Sequence, residues 1–293
     1  MLTLNHLIDS FQANIQVLVS ADQREPNTWK YYYWQLKKLR PLGHLPAETI
    51  RTHHLVAIKF TNAFVRSLKA LYKWGLEEEL VPKDPFKKLT VPKCGQRTRI
   101  LQRSEMVALY LASPRPFRLF LYLMRFTIAR PGELRKLRWS QVDLPGGVLR
   151  LKDFKGKKRR RDGLKERTIA IGPRAVRMLE AWIRHRNPKP TDPVFPASKG
   201  GERSANALRC MMRAARTKAG LDATGEEERI VVYTMRHTGA TEAIRNGVPL
   251  PVLSKMLGHT KTDMTNRYIH MGEQDMKEGI AQATKRRKKT DDS

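Results

Sequence analysis

The stretch VVYTMRHTGATEAIRNGVPLPVLSKMLGHTKTDMTNRYIH, residues 231–270, is punctuated as a series of short helices. Its spacing predicts a helix from Thr238 to Asn246, a break at Gly247 and Pro249, and a second helix from Leu250 to Leu257. Gly258 suits a helix-ending position, which leaves His259 just beyond the C-terminus, where side chains are placed in clefts. A last short helix is expected over residues 262–268. Arg236 stands ahead of the first helix, His259 after the second and Tyr268 at the end of the third. A histidine after a helix-ending glycine is most often structural, and none of the three is informative alone.

Working outward, TIARPGELRKLRW, residues 127–139, places Arg130 at a turn between a buried helix and a short amphipathic one. Pro131 fixes that turn, and Glu133 is close enough to brace a guanidinium. The buried helix is expected over residues 116–128 and the short one over 133–137. Two strands are expected, at 147–151 and at 167–171, where apolar residues alternate. Between them lies KDFKGKKRRRDGLKE, a basic hairpin or extended loop. Further helices are expected over 104–112, 174–185 and 206–219.

The first 90 residues are expected to be all-helical. Leu4, Leu7, Ile8 and Phe11 keep helical spacing, as do Ile15, Leu18 and Val19. A second helix carries Trp29, Tyr32, Tyr33, Leu36 and Leu39 and stops before Pro41. A short one starts near Ala47, and a long one runs from about Leu55 to Trp74 before Gly75, Pro82 and Pro85 close the bundle. The aromatics Trp29, Tyr31, Tyr32, Tyr33 and Trp34 invite a base-stacking role, but at helical spacing most are expected in the core. His53 and His54 lack an acid or cysteine at ligand spacing and suit a helix flank. The segment VPKCGQRTRI, residues 91–100, is a basic linker and the expected domain boundary. It contributes Lys93, Arg97 and Arg99 to a surface that suits a polyanion. Residues 284–293, which include the terminal KRRKKTDDS, are expected to be a disordered charged tail.

The whole chain has 293 residues, enough for two cores, and a formal net charge of +29. Such a field favours nucleic acid, because neutralising phosphates releases condensed counterions. Cys94 and Cys210 have no partners at metal spacing and fit a reducing cytoplasm and a metal-free protein. No signal peptide is expected from the first residues, which lack a basic stretch followed by an apolar run. The longest apolar run, residues 117–128, is interrupted by Arg118 and Arg125 and is shorter than the roughly 20 residues that span a membrane.

Phosphoryl transfer without a metal needs fixed cations for the phosphate oxygens, a nucleophile held in line and a proton donor for the leaving oxygen. The planar fork of arginine suits the first need. A phenol can serve as nucleophile when neighbouring cations help to ionise it.

With Arg130, Arg236, His259 and Tyr268 in this order, residues 101–271 resemble the catalytic domain of the tyrosine recombinases, the phage-integrase family. Residues 1–90 resemble that family's helical core-binding domain. The matching motifs are ARPGEL, MRHTGAT, LGHTKTDMTNRY and YKWGLEEELVPKDP, which together are highly specific. The resemblance implies a mainly α fold with a small β-sheet: an N-terminal helical, SAM-like core-binding bundle over 1–90, followed by an α+β catalytic domain over 101–283. It implies that Tyr268 attacks the scissile phosphate to form a 3′-phosphotyrosyl link, that Arg130 and Arg236 clamp the phosphate, that His259 hydrogen-bonds it, and that Glu133 supports Arg130. The proton donor would be a hairpin lysine, with Lys155 the best fit by distance from the first strand and Lys157 and Lys158 its rivals. Lysines not used so, with Arg159, Arg160 and Arg161, would form a patch for the DNA backbone.

One departure stands at Tyr233, where the family usually has a histidine three residues before the second arginine. A phenol can hydrogen-bond a phosphate but is a poor base at neutral pH. The resemblance implies a site-specific recombinase of double-stranded DNA that needs no metal, cofactor or ATP and works in the cytoplasm on the nucleoid. It would clamp DNA between two domains and assemble as a tetramer on paired sites, with residues 271–283 reaching a neighbour. The alternatives are a decayed, non-catalytic DNA-binding relative and, less well matched, a type IB topoisomerase.

Overall fold

The computed structural model describes residues 1–93, 95, 99–152, 166–184, 186–223 and 225–259. The chain divides into two compact units, Met1–Gln96 and Arg97–Ser293.

In the first unit, α1 (Leu4–Ser20), α2 (Pro26–Leu36) and α3 (Asn62–Glu77) enclose one core. The apolar positions read in the sequence merge into the single helix α1, capped by the Thr3 hydroxyl, which accepts from the His6 N–H. The second helix ends earlier than its spacing suggests: Lys37–Leu42 tightens into a 3-10 segment containing Pro41, and Leu39 is buried from there. Arg40 in that segment bonds Asn5 and Asp9 of α1, and the guanidinium holds the Asp9 carboxyl below its ordinary range.

The long helix begins seven residues later than expected. Thr52–Leu55 is a 3-10 turn, and the α3 N-cap is Thr61, whose hydroxyl accepts from the Phe64 N–H at 3.2 Å. Of the aromatic cluster, Trp29 and Tyr32 pack on the core, whereas Tyr31 and Trp34 are exposed. That corrects the expectation that most of them are buried. Successive residues of a helix are turned by about 100° from one another, so five aromatics at positions 29 and 31–34 cannot all face one core.

The second unit contains α4 (Arg103–Ala112), α5 (Arg115–Thr127), α6 (Pro131–Arg135), α7 (Pro173–Ile183), α8 (Ala205–Lys218), α9 (Val232–Arg245) and α10 (Leu250–Leu257). Among the described residues, β1 (Val142–Asp143), β2 (Val148–Leu151) and β3 (Arg167–Ala170) form an antiparallel sheet in that order. The β1 strand, two residues long, had no signal in the sequence. The expected helix over 262–268, the charged tail and the hairpin loop 153–165 lie outside the described residues.

The second core centres on α5, an amphipathic helix with eight buried residues. It packs closely on α9: a Cβ built on Gly239 would stand 1.9 Å from the Arg125 carbonyl oxygen, so only glycine admits this approach. Beside it, Arg125 makes a bidentate pair with Glu242, at 2.6 and 2.7 Å. The Thr238 hydroxyl accepts from the Leu101 N–H and donates to the Thr234 carbonyl, tying the start of the unit to α9. Among the described residues, no helix is long and apolar enough to cross a membrane.

Candidate active site

Helix α9 starts six residues before the expected position. The Thr234 hydroxyl accepts from the Val231 N–H at 3.0 Å, which closes the helix start there. Arg236 therefore lies within the helix rather than ahead of it. The β-branched residues at 231, 232 and 234 conceal this start, and the burial of Val232 and Thr234 overrides a weak propensity. Arg236 is 1% exposed. It donates to the carbonyl of Ile128, at the C-terminus of α5, and at 2.7 Å to that of Leu257, at the C-terminus of α10.

Ile128 adopts φ 53°, a left-handed conformation rare for a β-branched residue. Such strain costs about 1–3 kcal/mol. It turns the chain sharply from α5 into the short segment carrying Arg130. Arg130 is the N-cap of α6. Its backbone N–H donates to Glu133 Oε2 at 2.8 Å, its Nη1 donates to Glu133 Oε1 at 2.9 Å, and its Nη2 donates to the Gly258 carbonyl at 3.1 Å. Glu133 is almost fully buried and braces Arg130 as its place in the sequence suggests.

Helix α10 ends as its sequence predicts. Gly258 adopts φ 63°, and the His259 N–H returns to the Ser254 carbonyl at 3.1 Å. This is the glycine-dependent closure that satisfies late helical carbonyls. Arg236 and Arg130 thus grip the successive carbonyls of Leu257 and Gly258, immediately before His259. The start of α6, helix α9 and the end of α10 thus meet at one turn.

Tyr233 lies one turn before Arg236 on α9 and is 40% exposed. Its ring is 5.5 Å from the His237 ring, and the Arg236 guanidinium carbon is 5.8 Å from it. Tyr268, Lys155, Lys157, Lys158, Arg159, Arg160, Arg161 and Arg97 lie outside the described residues. Lys93 is exposed. Arg99 is held by Glu105 and by Glu228, so its charge is partly answered within the second unit.

Two features have no counterpart in the sequence reading. Arg167 is 5% exposed on β3 and bonds Glu133. Its signal was a cation at an inward position of an alternating strand, buried together with Ile169. The second is a cleft of about 300 Å³ between α8 and the start of α9, lined by Arg209, Cys210, Arg213, Arg216 and Arg229 among others. The helical spacing of 209, 213 and 216 was its signal.

The model of the phage integrase family matches residues 99–275. The tyrosine recombinase XerD of Pseudomonas putida is 28% identical over 223 residues, covering 72% of this chain and 70% of the relative. The tyrosine recombinase XerC of Corynebacterium efficiens is 30% identical over 227 residues, covering 74% and 69%. A lambda integrase dimer bound to a COC′ core site superposes with a TM-score of 0.72 at 19% identity, over 91% of this chain and 77% of that one. The Tn1549 transposon integrase in complex with circular intermediate DNA gives 0.72 at 16% identity, over 96% and 99%. At these identities the two structures speak for the fold.

Proposed function

This chain belongs to the phage integrase family, and on that premise we propose that Tyr268, Arg130, Arg236, His259 and a hairpin lysine form the catalytic set of a site-specific DNA recombinase. The activity is cleavage and rejoining of duplex DNA. The observation that carries the residue assignment is the meeting of Arg130 and Arg236 at the Leu257–Gly258 turn, directly before His259.

The Tyr268 oxygen attacks the scissile phosphorus as its hydroxyl proton passes to solvent, and the bond to the 5′-oxygen breaks. The products are a 3′-phosphotyrosine and a 5′-hydroxyl, the latter receiving its proton from Lys155 or from its rivals Lys157 and Lys158. The bond energy is kept in the phosphotyrosine, so rejoining needs no ATP. Arg130 and Arg236 stabilise the phosphate charge that grows in the transition state. Both are held before DNA arrives, so little reorganisation is required of them. His259 adds a hydrogen bond to a phosphate oxygen.

The net charge of +29 supports duplex DNA as partner. Lys93 in the first unit and, separately, the exposed Arg209 and Arg213 of α8 in the second are offered to the DNA backbone in this reading. Assembly as a tetramer on paired sites, with residues 271–283 reaching a neighbour, completes it.

A nicked suicide duplex, which loses its 5′-hydroxyl fragment on cleavage, tests the assignment. Wild-type protein is expected to be trapped as a covalent adduct, and Tyr268→Phe to give none. An adduct that persists in Tyr268→Phe would remove the nucleophile from this scheme.

Tyr233, at the position where a histidine is usual, is exposed beside Arg236 and can donate its hydroxyl hydrogen to a phosphate oxygen. A hydrogen bond to a charged group contributes about 1.5–3 kcal/mol. Tyr233→Phe is therefore expected to slow single-turnover cleavage about 10- to 100-fold. An unchanged rate would show that the hydroxyl takes no part.

A further inference from the structure

We propose that Arg167 is a positioning residue for cleavage, aiming Arg130 through the Glu133 carboxylate they share. The proposal rests on the reading of Arg130 as a phosphate clamp. Arg167 is 5% exposed, and its Nη1 donates to Glu133 Oε2 at 2.8 Å. The same oxygen accepts the Arg130 backbone N–H, while the other accepts Arg130 Nη1. The carboxylate is thus held by three donors, two of them from cations, and its plane is fixed.

Arg167 also donates through Nη2 to the Met256 carbonyl. It reaches the end of α10 one residue before the Leu257 and Gly258 carbonyls gripped by Arg236 and Arg130. A Cβ built on Gly258 would stand 3.0 Å from the Arg167 guanidinium carbon, so the buried side chain lies against this turn. One residue therefore braces both the carboxylate behind Arg130 and the helix end that presents His259.

This geometry separates a positioning role from a merely stabilising one. Without Arg167, the Glu133 carboxylate retains only Arg130 among these cations. Arg130 is then paired with a carboxylate whose plane is no longer fixed, and its own orientation loosens. The loss should then be felt in proportion to how much charge Arg130 must stabilise on the phosphate. A merely structural residue would slow cleavage equally whatever the charge of the scissile group.

The test uses the full chain and a nicked duplex whose core the wild-type protein enriches from a random-sequence library by covalent capture. Each core is made with an ordinary scissile phosphate and with a neutral methylphosphonate. Arg167→Gln is expected to lower single-turnover cleavage of the phosphate about 100-fold, with DNA affinity changed less than threefold. On the methylphosphonate its deficit should shrink to below tenfold, as should that of Arg130→Ala. Arg167→Lys, which keeps a cation for Glu133, should recover part of the rate on the phosphate. If Arg167→Gln is unfolded by thermal melting, Arg167→Lys is carried through the same comparison. An equal deficit on both substrates, or a deficit in DNA affinity alone, overturns the proposal. Failure of the wild-type protein to capture any duplex instead overturns the recombinase reading beneath it.

Discussion

Arg236→Met is expected to lower the rate of strand cleavage about a thousandfold. At an effective dielectric of about 20, a cation and an anion 4 Å apart attract by about 4 kcal/mol. A thousandfold in rate corresponds to about 4 kcal/mol. A single clamp on a transferring phosphate accounts for losses of about that order elsewhere. The substitution also leaves the Ile128 and Leu257 carbonyls without these donors, at about 1–3 kcal/mol for each group left unsatisfied. Arg236→Lys separates the two effects, since it keeps a charge and loses the fork. It should cleave about 100-fold more slowly than wild type with a smaller drop in melting temperature. Single-turnover cleavage of the suicide duplex, DNA affinity and thermal melting measured together decide the matter. Cleavage by the folded methionine variant within tenfold of wild type would show that Arg236 is only a folding residue.

Gly239→Ala is the second large effect, and it acts through packing. The new Cβ would lie 1.9 Å from the Arg125 carbonyl oxygen and 2.8 Å from its carbon. The obstacle is backbone, so α5 and α9 must move apart. Overpacking typically costs about 1–3 kcal/mol, and a contact this short belongs at the upper end. Replacing a helical glycine by alanine returns about 1 kcal/mol of propensity. A net loss of about 2 kcal/mol should lower the melting temperature by roughly 4–8 °C in a unit of this size. Cleavage should fall further than stability predicts, because α9 carries Arg236 while the end of α5 supplies the Ile128 carbonyl that fixes it. A melting temperature at or above that of wild type would refute the close approach.

The sequence displayed local signals well and crossed contacts poorly. Helix α10 could be read to the residue, because Pro at its start and Gly258 after its end are local instructions. The Glu133 support of Arg130 was legible for the same reason, as the two are three residues apart at a helix start. The start of α9 was hidden: Val231, its extended N-cap, and Val232 and Thr234, buried in its first turn, are all β-branched and favour extended chain. The start of α3 was likewise misplaced, since apolar spacing continues through Ile58 although the capping hydroxyl is that of Thr61. Arg167 could not have been found by motif, because its role depends on Glu133, 34 residues away, and on Met256, 89 residues away. Gly239 sits in plain view within MRHTGAT, but its reason is a neighbouring helix.

The carbonyls of Ile128, Met256, Leu257 and Gly258 share one property: each accepts a guanidinium hydrogen, from Arg236, Arg167, Arg236 and Arg130 in turn. Three arginines thus seal the ends of α5 and α10, positions that other proteins close with water or a turn. A gene copy drifting toward inactivity would be held to these arginines by its need to fold, long after cleavage ceased to matter. None of the four bonds involves a tyrosine. When degenerate copies are sorted from working ones in a genome, intact arginine codons are therefore no proof of activity, and on the role proposed for Tyr268 its codon is the one to inspect next.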